Sequence, residues 1–186
     1  MQAGMKAPHG RTKAKVGFVL SCYETHTPGV ATYGNGTTIL GEDSEPQPDN
    51  FLIILPECGG QVWEDEDEYI NGSPELVAET ASISESYDLH SKKKDYEKAG
   101  VKEYLVFATR PRKVHAFRLD EGRYVEWPAD EDGVFRSRVF PGLWFDGRAI
   151  WENDSLAILK TLEKGLATPE HAAFVEELRQ RKQQST

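Results

Sequence analysis

Pro48-Asp49-Asn50-Phe51-Leu52-Ile53-Ile54-Leu55 sets one acid at the mouth of an apolar run of strand length. A run without polar alternation predicts a strand covered on both faces, hence one central in its sheet. Further along, Pro74-Glu75-Leu76-Val77-Ala78-Glu79 opens a second core strand, over residues 76–81, with an acid inside it. A carboxylate in such surroundings is costly unless it meets a metal or a strong partner. That cost singles out Asp49 and Glu79 from the thirty-one acids of the chain. A helix is expected next over residues 86–99, stopped by Gly100, the residue usual just past a helix C-terminus. On its wheel Leu89, Tyr96 and Ala99 share one arc and Lys92 falls inside it, whereas Lys93, Lys94, Glu97 and Lys98 take the rest. Lys92 is thus expected to point inward, toward the two acids. The plainer alternative is an i,i+4 pair with Asp88 on a half-exposed face.

The flanking segments complete a mixed architecture. Val16, Val19, Leu20 and Tyr23 stand at helical spacing within residues 10–24. Residues 30–40 read as two short strands around Gly34-Asn35-Gly36, a hairpin signal. Residues 57–73, with tandem glycines and Glu64-Asp65-Glu66-Asp67-Glu68, look like an exposed connection rather than a cation site. Strands are expected over 101–108, over 113–119 paired with 123–127 across Asp120-Glu121-Gly122, and over 134–139. Asn153-Asp154-Ser155 offers caps for a helix ending at Gly165, and Thr168-Pro169 starts a last helix reaching about Arg181. The order predicts an α/β or α+β fold, a mixed sheet flanked by helices. At 186 residues the chain is expected to form one domain, residues 1–186, with the C-terminal helices of about 153–182 packed on it.

Composition narrows the function classes. With 38% hydrophobic and 28% charged residues, neither wholesale disorder nor a membrane protein is indicated. No run has the length of a bilayer span, the N-terminus lacks the apolar core of a secretory signal, and a cytoplasmic location is expected. Cys22 and Cys58 are isolated and His9, His26, His90, His115 and His171 are scattered, which argues against zinc and for packed, reduced thiols. The net charge of −9 counts against a protein that merely coats nucleic acid. Charge is nevertheless segregated: residues 42–79 hold twelve acids and no Lys or Arg, and residues 88–118 hold nine bases and four acids. Such asymmetry suits a cation-binding mouth beside a phosphate-attracting flank.

Phosphodiester hydrolysis needs a cation for the nonbridging oxygens, a polarised water and help for the departing oxyanion. Magnesium takes hard oxygen ligands and usually only one or two carboxylates, so Asp49 and Glu79 are the candidate ligands for Mg2+ or Mn2+. Lys92 would orient water or steady charge on phosphorus, with Asp88 orienting Lys92 and with His9 and Tyr96 as supporting candidates. Lys93, Lys94, Arg110 and Arg112 are candidate contacts to a nucleic-acid backbone. Against these stand plainer readings. Asp49 would bond local backbone at a strand start, Glu79 would be held by a buried partner, the lysine run would be a solvated face, and His9 a loop or cap histidine.

Several longer motifs carry a family resemblance. Pro8-His9-Gly10, Thr27-Pro28-Gly29-Val30, Asp43-Ser44-Glu45-Pro46-Gln47-Pro48-Asp49, Pro56-Glu57-Cys58-Gly59-Gly60-Gln61 and Pro74-Glu75-Leu76-Val77-Ala78-Glu79 resemble the Uma-two family of putative restriction endonucleases. So do Tyr87-Asp88-Leu89-His90-Ser91-Lys92, Ala99-Gly100-Val101-Lys102-Glu103-Tyr104, Phe140-Pro141-Gly142-Leu143-Trp144 and Glu170-His171-Ala172-Ala173-Phe174. The resemblance implies the PD-(D/E)XK nuclease fold, magnesium-dependent cutting of DNA, and the first and second motif acids at Asp49 and Glu79. The lysine of that superfamily normally sits two residues past the second acid, where this chain has Ala81. Lys92, matching the lysine of the family's Asp-Leu-His-x-Lys segment, is the expected replacement. Relatives carry an earlier helix and hairpin with a Glu-Leu-(Ile/Val)-Asp-Gly motif, and this chain is expected to lack them. The resemblance and the residues together predict a metal-dependent DNA endonuclease, with a homodimer as its expected assembly. The competing expectation is a catalytically silent member that binds nucleic acid or a protein through the basic segment 92–118.

Overall fold

Three apolar segments, Asn50–Ile54, Leu76–Ala81 and Glu103–Ala108, contain no exposed residue, and they lie side by side within one six-stranded sheet. The computed structural model describes residues 7–40, 45–81 and 85–185, and of 85–90 the backbone alone. The chain runs α1 (Ala7–His26), β1 (Val30–Gly34), β2 (Thr38–Ile39), β3 (Asn50–Ile54), a 3-10 turn (Pro56–Cys58), β4 (Trp63–Glu64), β5 (Ile70–Asn71), β6 (Leu76–Ala81) and α2 (Glu85–Ala99). It continues through β7 (Glu103–Ala108), β8 (Lys113–Asp120), β9 (Arg123–Glu126), β10 (Val134–Arg136), β11 (Trp144–Asp146), α3 (Gly147–Glu152), α4 (Ser155–Leu166) and α5 (Pro169–Gln184).

The main sheet has the order β1-β3-β6-β7-β8-β9. Only β6 and β7 run parallel, joined by α2, because parallel neighbours need a crossover whereas the others are antiparallel. Both faces are covered. Leu52, Ile54, Leu76, Ala78, Leu105 and Phe107 pack with Val16, Val19, Leu20 and Tyr23 of α1 and with the C-terminal helices. On the other face Phe51, Ile53, Val77, Tyr104 and Val106 pack with Tyr96 of α2, Val62 and Ile70. The mixed sheet flanked by helices is the fold class expected from the order of elements.

Several local expectations change. Residues 30–40 do not form a hairpin: β1 pairs antiparallel with β3, Val30 opposite Ile54 and Gly34 opposite Asn50, while β2 pairs parallel with β5. Asn35 does adopt the left-handed conformation of a turn, at φ 57°. The turn redirects the chain, because β1 finds in β3 a five-residue apolar partner that the two-residue β2 cannot match. The strand β3 is second from the edge, and β6 and β7 take the centre.

Residues 57–73 are not simply an exposed connection. They supply β4 and β5 and bury Val62 and Ile70 against β3. Their acidic run is a turn held by Asp65, whose Oδ1 accepts from the amides of Asp67 and Tyr69. The cap expected at 153–155 is present, Asp154 capping α4 through the amides of Leu156 and Ala157, but a short helix α3, which Asn153 ends in a left-handed conformation at φ 58°, precedes it. The strand β11, paired with β10, has no counterpart in the expected strands. Both cysteines are free thiols, Cys58 buried and Cys22 half-buried.

Candidate active site

The register of β3 on β6 builds the centre of the site. Asn50 lies opposite Ala78 and Phe51 opposite Val77, so one further step brings Asp49 level with Glu79. The Asp49 amide lies 3.4 Å from Glu79 Oε2, and the Thr80 amide donates to Asp49 Oδ2 at 2.8 Å. The crossover helix α2 then brings two donors to one carboxylate oxygen. Lys92 Nζ donates to Glu79 Oε1 at 2.9 Å and the Tyr96 hydroxyl donates to the same atom at 3.0 Å. Lys92 and Tyr96 are one helical turn apart, which aligns them on a single face.

The fifth participant comes from α1 and escaped the sequence reading. Lys13 Nζ donates to Asp49 Oδ1 at 2.8 Å and also to Asn35 Oδ1. His9, one turn before Lys13, places Nε2 3.7 Å from Asp49 Oδ2. Helix α1 is held close to β3 here: Asn50 Nδ2 donates to the Lys13 carbonyl at 3.3 Å, and a Cβ at Gly17 would stand 2.8 Å from Asn50 Oδ1. The signal for Lys13 was present in the sequence. It precedes the buried Val16 and Leu20 by three and seven residues, so the wheel argument that selects Lys92 selects Lys13 as well.

The cluster is largely withdrawn from solvent, with side-chain exposures of 9% for Glu79, 15% for Asp49 and Lys13, 17% for His9 and 39% for Lys92. Burial, followed by the adjacent Glu79 carboxylate, raises the Tyr96 pKa far above the ordinary phenol value, so its hydroxyl keeps its proton and acts as donor. No group of three or more His, Cys, Asp or Glu suited to a metal occurs among the described residues. Two carboxylates, one just before β3 and one in the adjacent β6, nevertheless suit magnesium, which retains waters in its remaining positions. All four of their oxygens accept a hydrogen bond in this arrangement, and two of the donors, Lys13 and Lys92, are cations that an entering metal ion would meet.

The remaining candidates are dispersed. Lys94 is exposed on α2, but Lys93 is not simply solvated, because its Nζ lies 3.7 Å from the centroid of the Phe117 ring. Arg110 and Arg112 are exposed and line an open cleft of about 470 Å³ with Arg11, Thr12 and Trp151. Neither Asp49 nor Glu79 lines that cleft; Pro8 and Thr12 on its wall flank His9 and Lys13 in α1, and Thr109 donates its amide to Ala81 O at 2.9 Å, two residues past Glu79. The Asp88 side chain, like Asp43 and Ser44 of the resemblance motifs, lies outside the described residues.

Comparison with known proteins gives a fold and a family. No curated protein matches the chain. The crystal structure of a putative nuclease belonging to DUF820 from Anabaena variabilis is similar over 82% of this chain and 85% of that one, with a TM-score of 0.62 and 14% identity. At that identity the likeness is one of fold. Residues 1–149 match the family described as Uma2, putative restriction endonuclease, and the chain belongs to that family.

Proposed function

We propose that this protein is a metal-dependent endonuclease that hydrolyses DNA phosphodiester bonds, with Mg2+ or Mn2+ held by Asp49 and Glu79. The observation that carries the reading is the meeting of Asp49, Glu79 and Lys92 at one end of the sheet in a member of a restriction-endonuclease family. A divalent cation bound there would supply charge neutralisation at the nonbridging phosphate oxygens and a more acidic water. The chain's own groups do the positioning. Tyr96 and Lys92 hold Glu79 in one rotamer from the α2 side, and the Thr80 amide holds Asp49 from β6. The Lys92 side chain, 39% exposed, leaves its ammonium free to turn from Glu79 toward a water or phosphate oxygen and to steady the charge that develops on phosphorus. His9, at the outer side of Asp49, would contact the phosphate beside the scissile bond.

Arg11, Arg110 and Arg112 supply the path for the substrate backbone. None has a carboxylate partner among the described residues, whereas Arg148, Arg179 and Arg181 on the outer helices each hold one. Guanidinium groups without such partners, gathered on one cleft in a chain of net charge −9, favour a phosphate ligand. Cutting both strands of a duplex calls for two sites, which a twofold homodimer would provide.

The test is cleavage of plasmid and oligonucleotide DNA with Mg2+ or Mn2+, against EDTA and the Glu79→Gln variant. Metal-dependent cutting that is absent from the variant supports the reading. A folded wild-type protein that cuts nothing would sink it. The pairing of each carboxylate with a lysine favours one second reading, a silent member that binds nucleic acid without turnover. Its signature would be salt-sensitive DNA binding unaffected by EDTA.

A further inference from the structure

We infer that Lys13 is a tethered counterion that keeps Asp49 from the divalent cation until a phosphodiester draws its ammonium away, which makes metal and nucleic acid bind cooperatively. The inference rests on the reading of Asp49 and Glu79 as metal ligands. Asp49 and Glu79 carry two negative charges, and Lys13 and Lys92 return two positive charges within 2.8 and 2.9 Å. A divalent ion approaching this balanced cluster gains little attraction and meets two ammonium groups. Its most direct obstacle is at Asp49. Oδ1 is held by the Lys13 ammonium, whose charge repels the ion, whereas Oδ2 accepts only from the neutral Thr80 amide, a backbone donor fixed in β6.

Of the donors on Asp49, Lys13 is the one built to leave. The Thr80 amide cannot move without breaking the strand, and Tyr96 is fully buried. Lys92 shares Glu79 Oε1 with Tyr96, so that oxygen stays bonded if Lys92 turns away. Lys13 reaches Asp49 on a flexible four-carbon stem from a fixed helix backbone, which Asn50 anchors at the Lys13 carbonyl. Its other partner, Asn35 Oδ1, is neutral and holds it only by a dipole. Asn35 is in turn placed by its left-handed backbone and by its amide, which donates to Asp49 O at 3.3 Å. A phosphate arriving beside His9 offers Lys13 a negative oxygen in exchange for the one it gives up. Asp49 Oδ1 then becomes available when substrate is present. By linkage, each ligand must raise the affinity for the other by the same factor.

The measurement is Mn2+ uptake, read as disappearance of the free-ion electron paramagnetic resonance signal. It uses full-length wild type, Lys13→Met, Lys13→Arg and Asp49→Asn, with and without a short duplex of phosphorothioate DNA, each checked for fold by circular dichroism. Without DNA, Lys13→Met should bind Mn2+ about tenfold more tightly than wild type, while Lys13→Arg, which keeps the charge, stays near wild type. Adding the duplex should tighten wild type and erase most of the difference. Equal or weaker Mn2+ binding by folded Lys13→Met, with binding still abolished in Asp49→Asn, overturns the inference and leaves the metal site standing. Tighter binding by Lys13→Met with no response of wild type to the duplex overturns the coupling to nucleic acid. No Mn2+ uptake by any folded variant removes the metal site and the inference together.

Discussion

Lys92 and Lys13 are two lysines among many, and the same physical argument distinguishes both. Each falls on the apolar arc of its helix, each ends on a carboxylate, and their neighbours Lys94 and Arg11 stay exposed. What the helical wheel does not contain is the partner. That Lys92 meets Glu79, and Lys13 meets Asp49, depends on which strand edge each helix crosses. Glu103 makes a related point away from the site. It is fully buried, and its carboxylate accepts from Ser137 Oγ at 2.5 Å and from the Arg138 amide at 2.8 Å. Burial pushes its pKa above the ordinary 4.5, against the opposing pull of those donors and of Arg118. With the folded value raised, the native state binds more protons than the unfolded chain above pH 4.5, so this group's contribution to stability falls as pH rises through that window. Glu103→Gln removes the titration while keeping an acceptor oxygen. Urea midpoints at pH 5 and pH 7.5 should therefore show the variant gaining on wild type at the higher pH, and a constant difference would refute the assignment.

At the scale of elements, the strongest sequence signals were the apolar runs and the caps, because both act over a few residues. The strand over 76–81 has the predicted bounds, Gly100 ends α2 with φ 88°, and Thr168 caps α5 by accepting from the His171 amide. Gly165 shows where a local rule misleads. Its position suggested a helix terminator, yet α4 runs on to Leu166, and the glycine is required by packing instead. A Cβ there would stand 2.2 Å from Gly142 O and 2.9 Å from Trp144 Cγ, which fixes how closely α4 approaches the chain between β10 and β11. Gly165→Ala should accordingly destabilise the fold by about 3 kcal/mol through overpacking, despite alanine's better helix propensity. Chemical denaturation reads this directly, and a stabilised variant would show that the packing there is loose. The hairpin expected at residues 30–40 failed for the opposite reason. A two-residue strand gains too little to hold β1 against the longer apolar edge of β3.

Across the whole molecule, basic residues that are far apart in the chain come together. The acidic run near Glu64–Glu68 stays in an exposed turn, while Arg11, Arg110 and Arg112 converge on one cleft from distant parts of the sequence. No described helix is long and apolar enough to cross a membrane. If the cleft carries the DNA backbone, replacing each of the three arginines by alanine should weaken binding for all sequences alike. It should also reduce the slope of log K against log salt by about 0.9 for each phosphate that is no longer neutralised. Fluorescence anisotropy across a salt series measures both quantities, and unchanged slopes in all three variants would place the backbone elsewhere.

The sequence by itself determined the mixed sheet, one acid at the mouth of a strand and one within the next, the inward lysine of α2 and the family, because apolar periodicity, caps and ordered motifs are short-range properties. Tertiary structure alone decided that Asp49 stands level with Glu79, that Asn35 and Lys13 complete the cluster, and that Arg11 joins Arg110 and Arg112. These meetings depend on strand register and helix placement, which are set by burial of the two core faces summed over the whole chain.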